Sequence, residues 1–412
     1  MQATGFIIFL SILTIIFVLL DFYTISKLNK IVKLRNWNQL ITKIAWYSSI
    51  LSLLVWLVVA TGRVFEPFDR NIMINLFKVV SIWYLPKILI FLIIFPVDIF
   101  NLLKNLILKI FKNNAKVENQ TKVSSRRKFV QNTALGFAGI PFVLGLNGAL
   151  VSVTNLRVYR ENIYLKDLPI NLNELRIVQI SDLHFGSFPD KSTIIEMCYQ
   201  ISSLNPDIIF ITGDFVNFDP NELDLGLEEV SQIRSRYGTF AVLGNHDHYM
   251  KNSDHQSLIS RIKESGINLL INENVELNIN EEIINIVGVD NSGSRQNFAD
   301  WNKAFEGINK RNKTILLCHD PIHWERHIID NYPADLTLSG HTHGGQIAFS
   351  LLGLEFSPAQ LAYKHYAGLY THNDQYLYVN RGIGTSGPPM RLSMDPEITL
   401  ITFKTENNLA KD

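Results

Sequence analysis

Cysteine is scarce: Cys198 and Cys318 are the only two in 412 residues, so there is no disulfide framework to read. Both are expected to be buried as small hydrophobes, and they say little about compartment. Net charge is missing too. Lysine and arginine total 38 and aspartate and glutamate total 38, which leaves no basic footprint for nucleic acid. Neither an internal repeat nor a low-complexity stretch is visible.

What the chain has in excess is apolar residues, with a mean hydropathy of +0.10, and the excess is concentrated near the start. Residues 5–23 and 44–62 are apolar runs of spanning length. A third, 82–100, is interrupted by Pro86, Lys87, Pro96 and Asp98, and a fourth, 133–153, is rich in glycine and alanine and contains Pro141. The composition predicts about four membrane helices in residues 1–155 and a separate catalytic domain over 156–406.

Orientation follows from the lysines and arginines. Between the first two runs lie Lys27, Lys30, Lys33, Arg35 and Lys43 with no acid in the loop, whereas in the next loop Arg63 and Arg70 are balanced by Glu66 and Asp69. Before the fourth run lie Lys104, Lys109, Lys112, Lys116, Lys122, Arg126, Arg127 and Lys128. Loops one and three are therefore expected in the cytoplasm. Four spans put the C-terminal domain outside the cell membrane; three would put it in the cytoplasm. Ser125-Arg126-Arg127 also resembles a twin-arginine export signal, although it reads equally well as the positive flank of a span.

Five short motifs along the C-terminal part carry metal-ligating side chains: Asp182-Leu183-His184, Gly213-Asp214, Gly244-Asn245-His246-Asp247, His319, and Gly340-His341-Thr342-His343. Each follows an apolar run that reads as a buried strand, such as 207–214 or 314–319, so polar tips gather where open α/β sheets place ligands. In an extended segment residues two apart share a face, which would let Asp182 and His184, and likewise His341 and His343, address one site. Such a pincer spans about 7 Å and suits one metal, or two held roughly 3.5–4 Å apart. The best candidate to bridge two is Asp214. Helix caps alone would not call for four histidines at strand ends.

Together these motifs resemble the calcineurin-like metallophosphoesterase superfamily over roughly residues 172–404. The resemblance implies a four-layer α/β/β/α sandwich behind the transmembrane helices. It implies one metal held by Asp182, His184, Asp214 and His343, and a second held by Asp214, Asn245, His319 and His341. His246 would face the substrate as general acid or transition-state stabiliser, making His246 and Asp214 the catalytic pair, while Asp247 closes a turn. Two divalent cations against two carboxylates leave the pocket cationic. A water bridging them would be acidified toward a pKa of about 7 and supply the hydroxide nucleophile. Mixed nitrogen and oxygen ligation favours Mn, Fe or Zn over Mg.

One departure stands out. Phosphatase branches read G-D-x-x-D, the last aspartate orienting the catalytic histidine, but here the segment is Gly213-Asp214-Phe215-Val216-Asn217. An amide brings no charge to an imidazolium, so diesters or pyrophosphates are expected over alkyl monoesters. The aromatic and aliphatic stretch 344–370 could accommodate a lipid or sugar moiety. The expectation is a membrane-anchored phosphoesterase of the bacterial cell membrane with an extracytoplasmic active domain and a phosphoester substrate. Two alternatives are a hydrolase of a lipid-linked pyrophosphate and a non-enzymatic metal-binding sensor or scaffold. Arg391 and the glycine-rich 382–386 loop are secondary candidates for phosphate contact.

Overall fold

A computed structural model describes residues 2–65, 69–111, 140–293, 296–351 and 354–405. The chain divides into two compact units, Met1–Ala149 and Leu150–Asp412.

The first unit is built on three long helices, α1 (Gln2–Leu34), α2 (Leu40–Phe65) and α3 (Arg70–Phe111). At 1.5 Å per residue even α2 reaches roughly 39 Å, enough to cross a bilayer core of about 30 Å. Among the described residues these three are long and apolar enough to span. Ile8, Phe9, Leu19, Leu51 and Ile93 point outward, as lipid-facing residues must, while Phe17, Trp56, Val59 and Tyr84 pack inside. Of the expected fourth span, residues 133–139 lie outside the described residues, as does the Ser125-Arg126-Arg127 segment; Ile140–Leu150 is helical, with Gly145 against Pro86.

The structure accounts for the charges that interrupt the third run. Lys87 of α3 pairs with Asp21 of α1 and donates to Ser49 Oγ of α2 at 2.7 Å. Asp21 also accepts from Ser49 and Tyr84, each at 3.0 Å. Nearer the end of α3, Asp98 accepts from Tyr23 at 2.6 Å and pairs with Lys27. Polar groups that would be costly in lipid thus satisfy one another across the helices.

The second unit alternates strands with helices. Its strands are β1 (Arg157–Leu165), β2 (Arg176–Ile180), β3 (Ile208–Thr212), β4 (Thr239–Val242), β5 (Asn268–Leu269), β6 (Glu273–Ile279), β7 (Glu282–Gly288), β8 (Ser292–Gly293) and β9 (Gln296–Asn297). There follow β10 (Lys313–Leu317), β11 (Leu336–Ser339), β12 (Phe349–Leu351), β13 (Leu354–Phe356), β14 (Gly368–His372), β15 (Gln375–Val379) and β16 (Glu397–Thr405). Two six-stranded sheets result, ordered β1-β16-β2-β3-β4-β5 and β14-β15-β11-β10-β7-β6, with two small hairpins, β8-β9 and β12-β13.

Alternation along the strands sets the layers. Ile177, Ile208, Phe210, Phe240 and Val242 turn toward Ile284, Ile315, Leu317, Leu336 and Leu338 to form the core between the sheets. Their neighbours Val178, Ile180, Ile209, Ile211 and Ala241 turn the other way, onto Ile194, Met197 and Ile201 of the helix Ser192–Ser203 and onto Leu258 and Ile262 of the helix Asn252–Glu264. Val287, Leu316, Leu377 and Val379 face Trp324 and Ile328 on the far side of the second sheet. The fold is therefore three transmembrane-like helices and a mixed α/β domain with two packed sheets. Each fully buried Ile, Leu or Phe contributes on the order of 1.5–3 kcal/mol to holding these layers together.

Apolar periodicity predicts helices near 191–204, 222–236 and 297–308; the first forms as Ser192–Ser203, and the other two are shorter. The pattern over 222–236 becomes a 3₁₀ segment, Pro220–Leu225, capped by Asp219, and then Leu227–Ser231. Gly226, at φ −160° and ψ −6°, separates them. The pattern over 297–308 gives one turn, Trp301–Ala304, with Asp300 as its cap.

Candidate metal centre

β2, β3, β4, β10 and β11 all stop two or three residues short of a motif residue, so the motifs collect along one edge formed by both sheets. Gln179 Nε2 ties the sheets together there, donating to Thr212 Oγ1 at 3.0 Å and to the Ser339 carbonyl at 2.9 Å. His319 Nδ1 donates across the same seam to the Thr212 carbonyl at 2.6 Å, which leaves Nε2 as the free face of the ring.

The pincers form differently from the sequence expectation. Asp182, His184, His341 and His343 are not in extended backbone; their φ values are 50°, 41°, 68° and 50°, and Asp214 has 56°. Left-handed residues at alternate positions, rather than strand pleat, bring each pair together. For side chains with a Cβ this conformation costs on the order of 1–3 kcal/mol apiece and persists only where surrounding bonds over-determine it. Those bonds are present. Asp182 N donates to Gly213 O at 3.0 Å, His184 N to Asp214 O at 2.9 Å, and His341 N to Asp182 Oδ2 at 3.0 Å. Asp247 accepts from the amides of Asp214, Phe215, Val216 and Gly244 at 2.9–3.2 Å, binding the second motif to the third.

Potential ligand atoms within 4.8 Å of one another fall into three overlapping groups: Asp182, His184 and His343; Asp214, His319 and His341; and His184, Asp214 and His246. His184 links the first group to the third, and the second is linked to the third by Asp214. Its Oδ2 lies 3.2 Å from His319 Nε2 and 3.5 Å from His184 Nε2, and its Oδ1 accepts from His246 N at 2.8 Å. His343 Nε2 is 3.4 Å from Asp182 Oδ1 and 3.2 Å from His184 Nε2. Asn245 donates through Nδ2 to Tyr249 at 3.0 Å, while its buried Oδ1 has no hydrogen-bond partner among the described residues. The same holds for His341 Nδ1, whose other nitrogen meets Tyr363 OH at 2.8 Å. Orphaned acceptors and facing imidazole nitrogens beside carboxylates are what a cation site requires, so the donor set fits divalent metals.

Electrostatics agree. Burial lowers His184 to about 3 and His341 to about 4, and burial with the neighbouring His184 and Arg391 holds His343 well below the ordinary range, so these rings are neutral. Burial raises Asp182 to about 6. At Asp214 burial opposes the charge, but His319 and His246 outweigh it and hold the carboxyl well below the usual range. Burial likewise opposes a charge on His319, yet Asp214 lifts it to about 10. Without metal, a proton on His319 compensates Asp214.

Two secondary candidates are spoken for. Arg391 is fully buried and donates to the carbonyls of Arg381, Gly382, Gly384 and Met394 at 2.5–3.1 Å, which makes it a brace. In the glycine-rich loop the amides of Gly382, Ile383, Gly384, Thr385 and Ser386 donate to Asn380, Ser181, Asp182, Ser187 and Gln346. That loop has no free N–H to cradle a phosphate. Sequence reasoning missed Tyr363 and Tyr249, which lie 22 and 4 residues from the side chains they touch; nothing local marks either one.

Residues 175–345 match the family described as Calcineurin-like phosphoesterase, and residues 4–152 match one described as Probable Calcineurin-like phosphoesterase, transmembrane domain. An uncharacterized metallophosphoesterase of Aquifex aeolicus is 32% identical over 260 residues, covering 61% of this chain and 94% of that protein. The Transmembrane protein with metallophosphoesterase domain of Danio rerio is 31% identical over 275 residues, 64% of this chain and 61% of its own length. Phosphodiesterase YaeI of Escherichia coli is 28% identical over 284 residues, 67% of this chain and 98% of that one. The chain belongs to the calcineurin-like metallophosphoesterases. It is an integral membrane protein and a hydrolase acting on ester bonds.

Proposed function

We propose that the chain hydrolyses phosphodiesters or pyrophosphates at a binuclear centre held by Asp182, His184, Asp214, Asn245, His319, His341 and His343. The observation that carries this reading is that His184 and Asp214 join the carboxylate-imidazole groups to one another and to His246. When bound, divalent metals of the Mn, Fe or Zn type would acidify a water nucleophile and offset the charge of a phosphoryl group. Asp182, His184, Asp214 and His343 would hold one ion, and Asp214, Asn245, His319 and His341 the other.

His246 serves as proton donor to the leaving oxygen. Its Nδ1 lies 3.0 Å from the Asn217 carbonyl, which can only accept, so Nδ1 carries a proton and Nε2 is the reacting nitrogen. Its ring centre is 4.7 Å from that of His184, which puts the donor next to the cluster. The name of a relative, Phosphodiesterase YaeI, supports a preference for diesters over alkyl monoesters.

A lipid-linked substrate is the second reading, favoured by exposed apolar side chains. Phe218 is 50% exposed with its ring centre 5.5 Å from that of His246, and Leu361 is 81% exposed two residues before Tyr363. Charge asymmetry of the loops, with a fourth span over 133–153 added to the three long helices, would give an extracytoplasmic active domain in a bacterial cell membrane.

The test is hydrolysis by the full-length protein in detergent, reconstituted with Mn, Fe or Zn, of a phosphodiester, a phosphomonoester and a lipid-linked pyrophosphate. Turnover should require metal and fall by about 10³ or more in Asp214→Asn, on the scale of losing a metal's charge stabilisation. Faster turnover of the monoester would reject the diester preference. Metal-independent turnover, or full activity in Asp214→Asn, would reject the centre itself.

A further inference from the structure

We propose that Glu222 is a positioning residue for His246, acting through the peptide group that joins Asn217 to Phe218. The inference rests on the reading of His246 as proton donor.

The Asn217 carbonyl that accepts from His246 Nδ1 at 3.0 Å belongs to the same peptide group as the Phe218 N–H. That N–H donates to Glu222 Oε1 at 3.3 Å. The other carboxylate oxygen, Oε2, accepts from Asn217 N at 2.6 Å, Asn217 Nδ2 at 3.3 Å and Gly186 N at 3.0 Å. A carboxylate, a peptide dipole and an imidazole therefore lie in series: Glu222 to H–N, C=O to H–Nδ1. An anion at the N–H end polarises the peptide and makes its carbonyl a better acceptor. The carboxylate missing at residue 217 is thus supplied five residues later and relayed through one peptide.

The arrangement is specific. Glu222 has no ion-pair partner among the described residues, so its charge is held by N–H groups alone and is not neutralised by a cation. Gly186 is needed for this approach, because a Cβ there would fall on the Glu222 carboxylate. In the reaction, water gives up one proton to solvent and its oxygen forms the new bond to phosphorus as the bond to the leaving oxygen breaks. The bonding pair goes to that oxygen together with the His246 Nε2 proton, and the imidazolium becomes neutral while Nδ1 keeps its hydrogen on the Asn217 carbonyl. Glu222 stabilises the charged ring before transfer and fixes its orientation.

A bare loop clamp and a charge relay differ in leaving-group dependence. Protonation matters greatly when an alkoxide departs and little when p-nitrophenolate does. The experiment measures kcat and KM of the metal-loaded full-length protein on an alkyl phosphodiester and on a p-nitrophenyl phosphodiester. In Glu222→Gln, kcat on the alkyl ester should fall by about tenfold or more, toward the range of a lost acid catalyst. On the aryl ester it should fall by at most about threefold, with KM and metal content held, since only proton transfer is impaired. Glu222→Asp, which keeps the charge but shortens its reach, should show a smaller loss with the same alkyl selectivity, and it stands in if Glu222→Gln does not fold. Equal losses on both esters, or no loss on either, would overturn the relay. His246→Ala is measured alongside: alkyl-selective loss there without it in the Glu222 variants rejects the relay alone. Absence of selectivity in His246→Ala rejects the proton-donor reading beneath it.

Discussion

Tyr363 shows how a side chain outside the motifs governs one inside them. Its hydroxyl, 2.8 Å from His341 Nε2, fixes that ring so that Nδ1, buried and otherwise unpartnered, is the atom turned inward. Outer partners of this kind orient a ligand and tune its basicity, and losing one typically costs about 10–100-fold in metal affinity. Tyr363→Phe is expected to weaken binding of the second ion by that factor while leaving the first unaffected, and competition with a fluorescent chelator would show two classes of site diverging. The identities of the ligand candidates were legible because histidine and aspartate after apolar runs have few other uses. Their conformation was not: five of them have positive φ, and nothing in an Asp-x-His string says whether its backbone is pleated or left-handed.

The strand ends carry a cost that the turns around them must meet. Gly213, between β3 and Asp214, has φ +93°, and a Cβ there would lie 2.6 Å from His319 Nδ1 and 2.7 Å from Gly244 N. Gly213→Ala should therefore combine backbone strain with a clash, destabilising the domain by roughly 2–4 kcal/mol, measured by denaturant unfolding, and should lower metal content because His319 is displaced. In the membrane unit the corresponding element is the buried pair of α1 and α3. Lys87→Met leaves Asp21 charged and uncompensated, at a cost of about 3–5 kcal/mol. The double variant Asp21→Asn/Lys87→Met should recover part of that, and thermal melting in detergent would show it; a double variant no better than the single would mean the pair is not coupled. Apolar run length located α1 and α2, and periodicity the helix Ser192–Ser203. Periodicity overran at 222–236, where Gly226 interrupts the helix and Glu222 turns its carboxylate to the 217–218 loop, a contact whose partner Gly186 lies 36 residues away.

Anchoring and chemistry are written in separate halves of the chain, and the compartment of the second depends on the number of crossings made by the first. With loops one and three basic, a reporter fused at the C-terminus that works only outside the cytoplasm should be active, while one in the loop near Lys33 should be silent. Silence at both positions would mean three crossings and a cytoplasmic domain, and activity near Lys33 alone would mean the inverted orientation. The family and its reaction class could be read from motif order alone, because metal ligation restricts residue types severely and strand ends are the places where a sheet can present them. Apolar length likewise determined that the chain is a membrane protein, since few soluble folds tolerate such runs. Which side chains meet could only be decided by the tertiary structure. Convergence of β3 with β10 at Asp214 and His319, of Tyr363 with His341, and of Glu222 with the peptide beside His246 depends on sheet pairing and loop return, and these are set by the packing of two buried cores rather than by any local pattern.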